Sequence, residues 1–451
     1  MLKFILILNV VHVTFSSVSQ HDPFYCYSSD PIRPQVGMFA TKSSYETNRG
    51  RSIDPNVSAC TPAKFWLLSR HGTRLPSRGD ITGILNNYER LHRDVSVNYN
   101  AGRTSLCASD FNLLQNWSFD TNITLDKEQY LTVSGWNELE GLGRRYSEAF
   151  PTLLPRNYSR NDFLFRPTYK QRTQASLKAF ADGIFGHDGH IQVQFEEVPD
   201  PDFFLRPHDN CELYDEVIAN KIEQDAFRDG PDFQQMLTQV SQKLGFHGSR
   251  QLRENEIDTI ANLCKFEQIW FLDEPSPWCV AFSISNHAVL EYLEDLDYFW
   301  RVGYGYRDFR TLFENMNCYL MQDLLNFVTS NNPNDHLARI YSTHSTILQL
   351  IIVTLGVFED EVQLTRHNFA QQTFRQWKSS LIAPMGTNLA VIKYSCADGD
   401  DDLLFLFNEK PLHINGCQPN GLCKQSLIVE RFSHFMNGDC RQIFCSNNNR
   451  R

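Results

Sequence analysis

The sequence predicts an α/β protein whose sheet-forming ends are separated by a mostly helical middle. A short apolar run at 63–69 and the segment 337–341 each lead toward a histidine and read as strands. Near the C-terminus, "NLAVIKYS", "DGDD" and "LLFLFNEKPLHI" read as strand, turn and second strand. Between about Asp209 and Asn332 the periodicity is helical, as in "FQQMLTQVSQKLG" and "ENEIDTIANLCKFEQIW". At 451 residues the chain is too long for one ordinary core. The expected division is a leader at 1–19, a discontinuous α/β unit from 20–208 and 333–451, and a helical insert over 209–332.

Taken in order, the first element is "MLKFILILNVVHVTFSSVSQ". Lys3 gives a short positive start, Phe4 to Phe15 an apolar stretch interrupted by Asn9 and His12, and Ser17-Val18-Ser19 a small-x-small cleavage site. That is the pattern of a secretory signal peptide. "AKFWLLS" is a continuous apolar run, as a central strand requires. "LTVSGWNELEGLGRRYSEAF" predicts a helix capped by Ser134. Its Leu139, Leu142, Tyr146 and Phe150 fall at i, i+3, i+7 and i+11 and make one apolar face. Leu337 to Tyr341 predicts a strand and Ser345 to Leu355 a helix stopped by Gly356. Beyond the leader, no stretch approaches the ~20 apolar residues of a membrane span.

Composition narrows the function. The net charge is −11 and the pI about 5.7, a balance that disfavours a nucleic-acid binder. It leaves room for a local cationic pocket and a phosphorylated small molecule. Twelve cysteines occur and none forms a C-x-x-C pair, so zinc and thioredoxin-like chemistry are disfavoured. In an oxidising compartment they would form up to six disulfides, with the pairing open. Glycosylation sequons stand at Asn56, Asn116, Asn122 and Asn157. "SNNNRR" at the C-terminus is no ER-retrieval signal. The expected location is the secretory lumen or the cell exterior, in solution or at a membrane surface.

The chemistry concentrates in "FWLLSRHGTRLPSRGD". Arg70-His71-Gly72-Thr73-Arg74 follows the apolar run directly. Arginine is almost never buried without an anion to pair with. Phosphoryl transfer needs a nucleophile in line and cations on the equatorial oxygens, and an imidazole can be that nucleophile. Gly72 is expected to let the backbone approach a ligand closely. A buried histidine with two surface arginines is the plain alternative.

These residues, with Pro76, match the R-H-G-x-R-x-P signature of the histidine acid phosphatases, and the chain resembles that family. It is most similar to the multiple inositol polyphosphate phosphatase branch, at "RPTYKQRTQASLKAFADGIF", "FLRPHDNCELY", "SPWCVAF", "LEYLEDLDYFWRVGYG", "APMGTNLAVIKYS" and "FNEKPLHINGCQPNGLC". The resemblance implies a histidine-phosphatase-like mixed sheet flanked by helices and an activity without metal or other cofactor. It implies that His71 is the nucleophile, that Arg70, Arg74 and Arg172 clamp the phosphate, and that His344 hydrogen-bonds a phosphate oxygen. It places Lys170, with Thr73, against substrate phosphates. Lys170 and Arg172 open a helix, where basic residues gain nothing from the dipole, so a bound anion would explain them better than a solvated turn.

One departure stands out. The family pattern after the second histidine is His-Asp, or His-Ala-Glu in this branch, and its carboxylic acid protonates the leaving oxygen. Here the chain reads His344-Ser345-Thr346. A positioned general acid contributes about 10²- to 10⁴-fold, and a threonine hydroxyl cannot replace it near neutral pH. Three readings follow: an acid from elsewhere, with Asp209 or His208 as candidates; substrates with good leaving groups only; or a phosphate-ligand binder that has lost turnover. A phosphoglycerate mutase shares the R-H-G start, but the leader, the cysteines and the helical insert disfavour it.

Overall fold

A computed structural model describes residues 22–448, and the expected leader at 1–19 lies outside them. Among the described residues seven strands join in one sheet: β1 (Cys60–Arg70), β2 (Phe163–Pro167), β3 (Ala338–Thr343), β4 (Asn388–Cys396), β5 (Asp402–Phe407), β6 (Lys410–Pro411) and β7 (Leu422–Lys424). The order is β2-β3-β1-β4-β5-β6, with β7 also paired to β5. β2, β3 and β1 run parallel, and β4 and β5 antiparallel, so the sheet is mixed. The apolar run at 63–69 is central, as its composition requires.

Alternation along β1 serves two cores. Phe65 and Leu67 face a layer built from the helices Val133–Ala149 and Gln171–Phe185. The predicted stripe of Leu139, Leu142, Tyr146 and Phe150 is buried there. Trp66 and Leu68 face a much larger core. It takes in side chains from the helices Glu254–Trp270, Ile284–Arg301, Cys318–Thr329 and Ser345–Leu355. Among the described residues, 209–332 contain helices and no strand.

Three local expectations need correction. The helix starts at Val133, so Thr132 caps it by accepting from the Gly135 amide, while the Ser134 hydroxyl donates to the Trp270 carbonyl. β3 runs to Thr343, two residues past the predicted end. "LLFLFNEKPLHI" is not one strand. Asn408 and Glu409 both take positive φ, 51° and 61°, and turn the chain back as β6. Glu409 holds that conformation by accepting from Arg145 Nε (2.7 Å) and Nη2 (2.9 Å) and from the Tyr45 hydroxyl (2.8 Å). The helix Ser345–Leu355 matches its prediction, and Gly356 ends it at φ 68°.

All twelve cysteines pair: Cys26–Cys107, Cys60–Cys396, Cys211–Cys445, Cys264–Cys279, Cys318–Cys440 and Cys417–Cys423. Cys60–Cys396 staples β1 to β4 at directly opposed positions. The four sequon asparagines are all exposed. No described helix is long and apolar enough to cross a membrane.

Candidate active site

Strand register assembles the site. Arg70 of β1 and Thr343 of β3 are paired, as are Pro167 of β2 and Ser342 of β3. The residues that follow, His71, His344 and Thr168, therefore emerge together at the carboxyl ends of three parallel neighbours, where α/β sheets bind ligands. The His71 amide donates to the Thr343 carbonyl (3.1 Å), extending the ladder by one bond. The two histidine rings lie 5.7 Å apart, edge to face.

The loop after β1 is held from behind. A Cβ on Gly72 would lie 2.4 Å from the Gly135 carbonyl oxygen, and one on Gly135 would lie 2.1 Å from that of Thr73. Gly72 is thus required by the helix backbone packed against it. Thr73 is fully buried, and its hydroxyl donates to Glu138 (2.9 Å) instead of reaching toward a substrate. Glu138 also accepts from the Thr73 amide (2.7 Å), the Ser44 hydroxyl (3.0 Å) and the Tyr45 amide (3.4 Å). Burial raises its pKa, and these donors offset part of that cost.

His71 is prepared as a nucleophile. Its Nδ1 lies 2.9 Å from the Gly72 carbonyl, which can only accept, so Nδ1 carries the proton and Nε2 keeps its lone pair. The ring pKa falls well below the usual range through burial first, then Arg70, Arg172, His344 and Arg74. The imidazole is neutral at any pH near 7.

The cations form a cluster that wants an anion. Arg70 Nη1 is anchored by the carbonyls of Thr41 and Ala383, both at 2.6 Å. Arg172 lies in the first turn of Gln171–Phe185, with Lys170 at its N-cap. Burial, Arg74, Arg70 and Arg206 push Arg172 down to about 9; burial leads again in moving Arg70 to about 10. Arginine does not release its proton in such a place; the strain is a demand for negative charge. The Nε atoms of Arg70 and Arg172 are buried without a hydrogen-bond partner. Arg74 donates to the Leu75 carbonyl and lies 5.8 Å from the Phe266 ring centroid.

His344 caps the helix Ser345–Leu355 and is crowded by donors. Arg172 Nη2 is 3.2 Å from its Nδ1, and Arg206 Nη1 is 3.0 Å from its Nε2, which also meets the Thr168 hydroxyl at 3.1 Å. A neutral imidazole has one acceptor nitrogen, so one of the two arginines faces an N–H whichever tautomer forms. Both contacts become favourable when an anion's oxygens sit among these groups. Sequence reasoning assigned Arg206 no role. The available signal was "FFLRPHDN", an apolar run ending in an arginine with a histidine close behind, much as Arg70-His71 ends the run before it. The Thr343 hydroxyl bonds the Leu205 carbonyl (2.8 Å) and brings Arg206 to the site.

Ser345 and Thr346 are the first two residues of the helix and carry no carboxyl group. Asp209 is bound by the Arg206 guanidinium, where it is an acceptor. Burial lowers His208 to about 4, so it is unprotonated near neutrality.

Paired histidines among clustered arginines at the carboxyl edge of a mixed sheet define a phosphate-handling α/β protein. The profile of the histidine phosphatase superfamily (branch 2) matches residues 64–408. A multiple inositol polyphosphate phosphatase 1 of Drosophila melanogaster is 35% identical over 95% of this chain and 91% of its own length. The protein of that name from Gallus gallus is 27% identical over 83% and 85%. Among solved structures, the phytase from D. castellii superposes with TM-score 0.72 at 18% identity, covering 92% of this chain and 88% of its own. The Bifidobacterium longum multiple inositol polyphosphate phosphatase in complex with inositol hexasulfate gives 0.65 at 14%, covering 88% and 97%. The chain belongs to the histidine phosphatase superfamily, in its multiple inositol polyphosphate phosphatase branch, and is a phosphatase by family.

Proposed function

We propose that the chain hydrolyses phosphorylated inositols through a phosphohistidine on His71, in the secretory lumen or outside the cell. The observation that carries this is the state of His71: neutral, with Nδ1–H turned to Gly72 and a free Nε2 among arginines. In this reading Arg70, Arg74, Arg172 and Arg206 hold the phosphoryl oxygens and spread the transition-state charge. His344 donates to one of those oxygens. Lys170 reaches a second phosphate. The names of the relatives support the substrate class. Complete cysteine pairing and four exposed sequons support export and glycosylation.

A second reading is a binder of phosphorylated ligands with no turnover, and Thr346 favours it. Binding uses the cations, whereas departure of an alcohol uses a proton. The test is phosphate release from p-nitrophenyl phosphate and inositol hexakisphosphate, with His71→Ala as the blank and acid-labile phosphoryl label sought on His71. Label on the wild type and none on the variant is the expected result. Phosphate binding with no release above the blank from either substrate would leave the binder reading standing.

A further inference from the structure

The proton carriers around the phosphoryl position are all spoken for. His71 and His344 are neutral, held so by burial and by the arginines. The carboxylate of Asp209 accepts from Arg206, and that of Glu138 accepts two bonds from Thr73 and one each from Ser44 and Tyr45. Glu294 exerts its charge on Arg70 and Arg74; burial would raise its pKa, but Lys42 and Lys265 outweigh that and hold it at about 2. The Tyr298 ring lies under the Arg301 guanidinium at 4.5 Å. Asp80, the first charge felt by Arg74, accepts from the Ser77 amide and hydroxyl and from Asn262. Each of these carboxylates and imidazoles is thus engaged or neutral, and none is free to donate a proton there.

Cations are in surplus. Among the described residues Asp209 is the one carboxylate bonded to any of Arg70, Arg74, Arg172, Arg206 and Lys170. Lys170 Nζ and the Arg206 guanidinium lie over the same Tyr169 ring, at 4.5 and 5.0 Å. The transferred phosphoryl group needs the arginines next to His71. Lys170 and the outer edge of Arg206 are left to hold a second anionic group beside it.

Such a site suits a leaving group that departs as an anion and serves poorly one that must be protonated. The alkoxide of a polyol is of the second kind, and a phosphate released from a P–O–P linkage is of the first. We propose that this pocket prefers phosphoanhydrides, a diphosphate carried on a polyphosphorylated polyol, over the corresponding phosphomonoesters. The proposal rests on the phosphatase reading above. His71 Nε2 forms an N–P bond to the terminal phosphorus. The bridging P–O bond breaks, and its electron pair leaves with the phosphate monoester, which takes no proton. Water then forms a new P–O bond, the N–P bond breaks with its pair returning to Nε2, and the water's proton passes to solvent.

The experiment compares a diphosphoinositol pentakisphosphate with inositol hexakisphosphate on the full-length secreted protein, with p-nitrophenyl phosphate as a third arm. An absent general acid predicts a kcat/KM ratio of anhydride to monoester of about 100 or more. Thr346→Glu is expected to raise monoester hydrolysis about tenfold or more and narrow the ratio, while Thr346→Gln does not. If the wild type cleaves the aryl ester but runs the two inositol substrates within about tenfold of each other, the proposal falls and the phosphatase reading stands. A wide ratio that Thr346→Glu leaves unmoved overturns its assignment to the missing proton. If no substrate turns over above the His71→Ala blank, this proposal and the phosphatase reading fall together.

Discussion

The two histidines at the strand ends have the same backbone setting and opposite surroundings. Each follows a parallel strand, one residue past a paired position, and each is buried. His71 has one ring nitrogen tied to a carbonyl and the other left free. His344 has both nitrogens pressed by donors, Arg172 on one side and Arg206 with Thr168 on the other. A ring with a free lone pair can attack phosphorus. A ring set among guanidiniums can only share an anion with them. The difference teaches that a histidine's role here comes from what its second nitrogen meets, and not from its place on the strand.

The largest effect should separate the two rings. His71→Ala is expected to reduce aryl phosphate hydrolysis by about 10⁶-fold and to abolish the phosphohistidine. His344→Ala is expected to cost about 10²- to 10³-fold in kcat, as the loss of one charge-stabilising donor does, with the phosphohistidine still trappable. Equal losses in both, measured by phosphate release and label retention, would erase the distinction.

A smaller effect tests what surrounds His344. Arg206→Ala should raise the KM for an inositol polyphosphate by about 10- to 100-fold, the value of one charge-assisted bond, and change kcat less. Arg206→Lys should recover only part, because a point charge cannot serve both Asp209 and the anion. Steady-state kinetics on the three proteins decide it. A kcat loss larger than the KM rise would place Arg206 with the reacting groups instead.

The smallest effect is on stability. Both ring pKa values are depressed in the folded protein, so below the ordinary value of about 6.5 the unfolded chain takes protons that the folded one refuses. Stability is therefore lost as pH falls through that value, by at most about 1.4 kcal/mol per pH unit for each ring. An anion in the cradle raises both pKa values and returns part of this. Millimolar sulfate, whose charge is constant over the range, should raise Tm by more at pH 5.5 than at pH 7.5. An equal gain at both would mean that sulfate does not sit between the rings.

Much of this was legible in the sequence where the cause is local. The run at 63–69 is apolar on both faces because it is buried on both, and Ser345–Leu355 carries its own stop at Gly356. His71 was readable because its arginines are its neighbours in sequence. Arg206 was not, because its place beside His344 depends on the Thr343–Leu205 contact, across 138 residues. The partners of Gly72 and Thr73 were hidden for the same reason: Gly135 and Glu138 lie on a helix that begins about 60 residues later. The turn at Asn408-Glu409 lacks a glycine and is set by Arg145 and Tyr45, which no local pattern reveals.

The sheet order has a consequence for how the protein is made. β1 is among the first strands of the chain, yet both its neighbours, β3 and β4, come from beyond residue 337. A ribosome adding about 5–20 residues per second leaves roughly 14–55 s between the synthesis of His71 and of His344. Over that interval the 11-residue strand, with its apolar run at 63–69, has neither edge covered. The nascent chain is then most exposed to mispairing, and a message cut short before β4 yields no partial enzyme, only a sticky fragment.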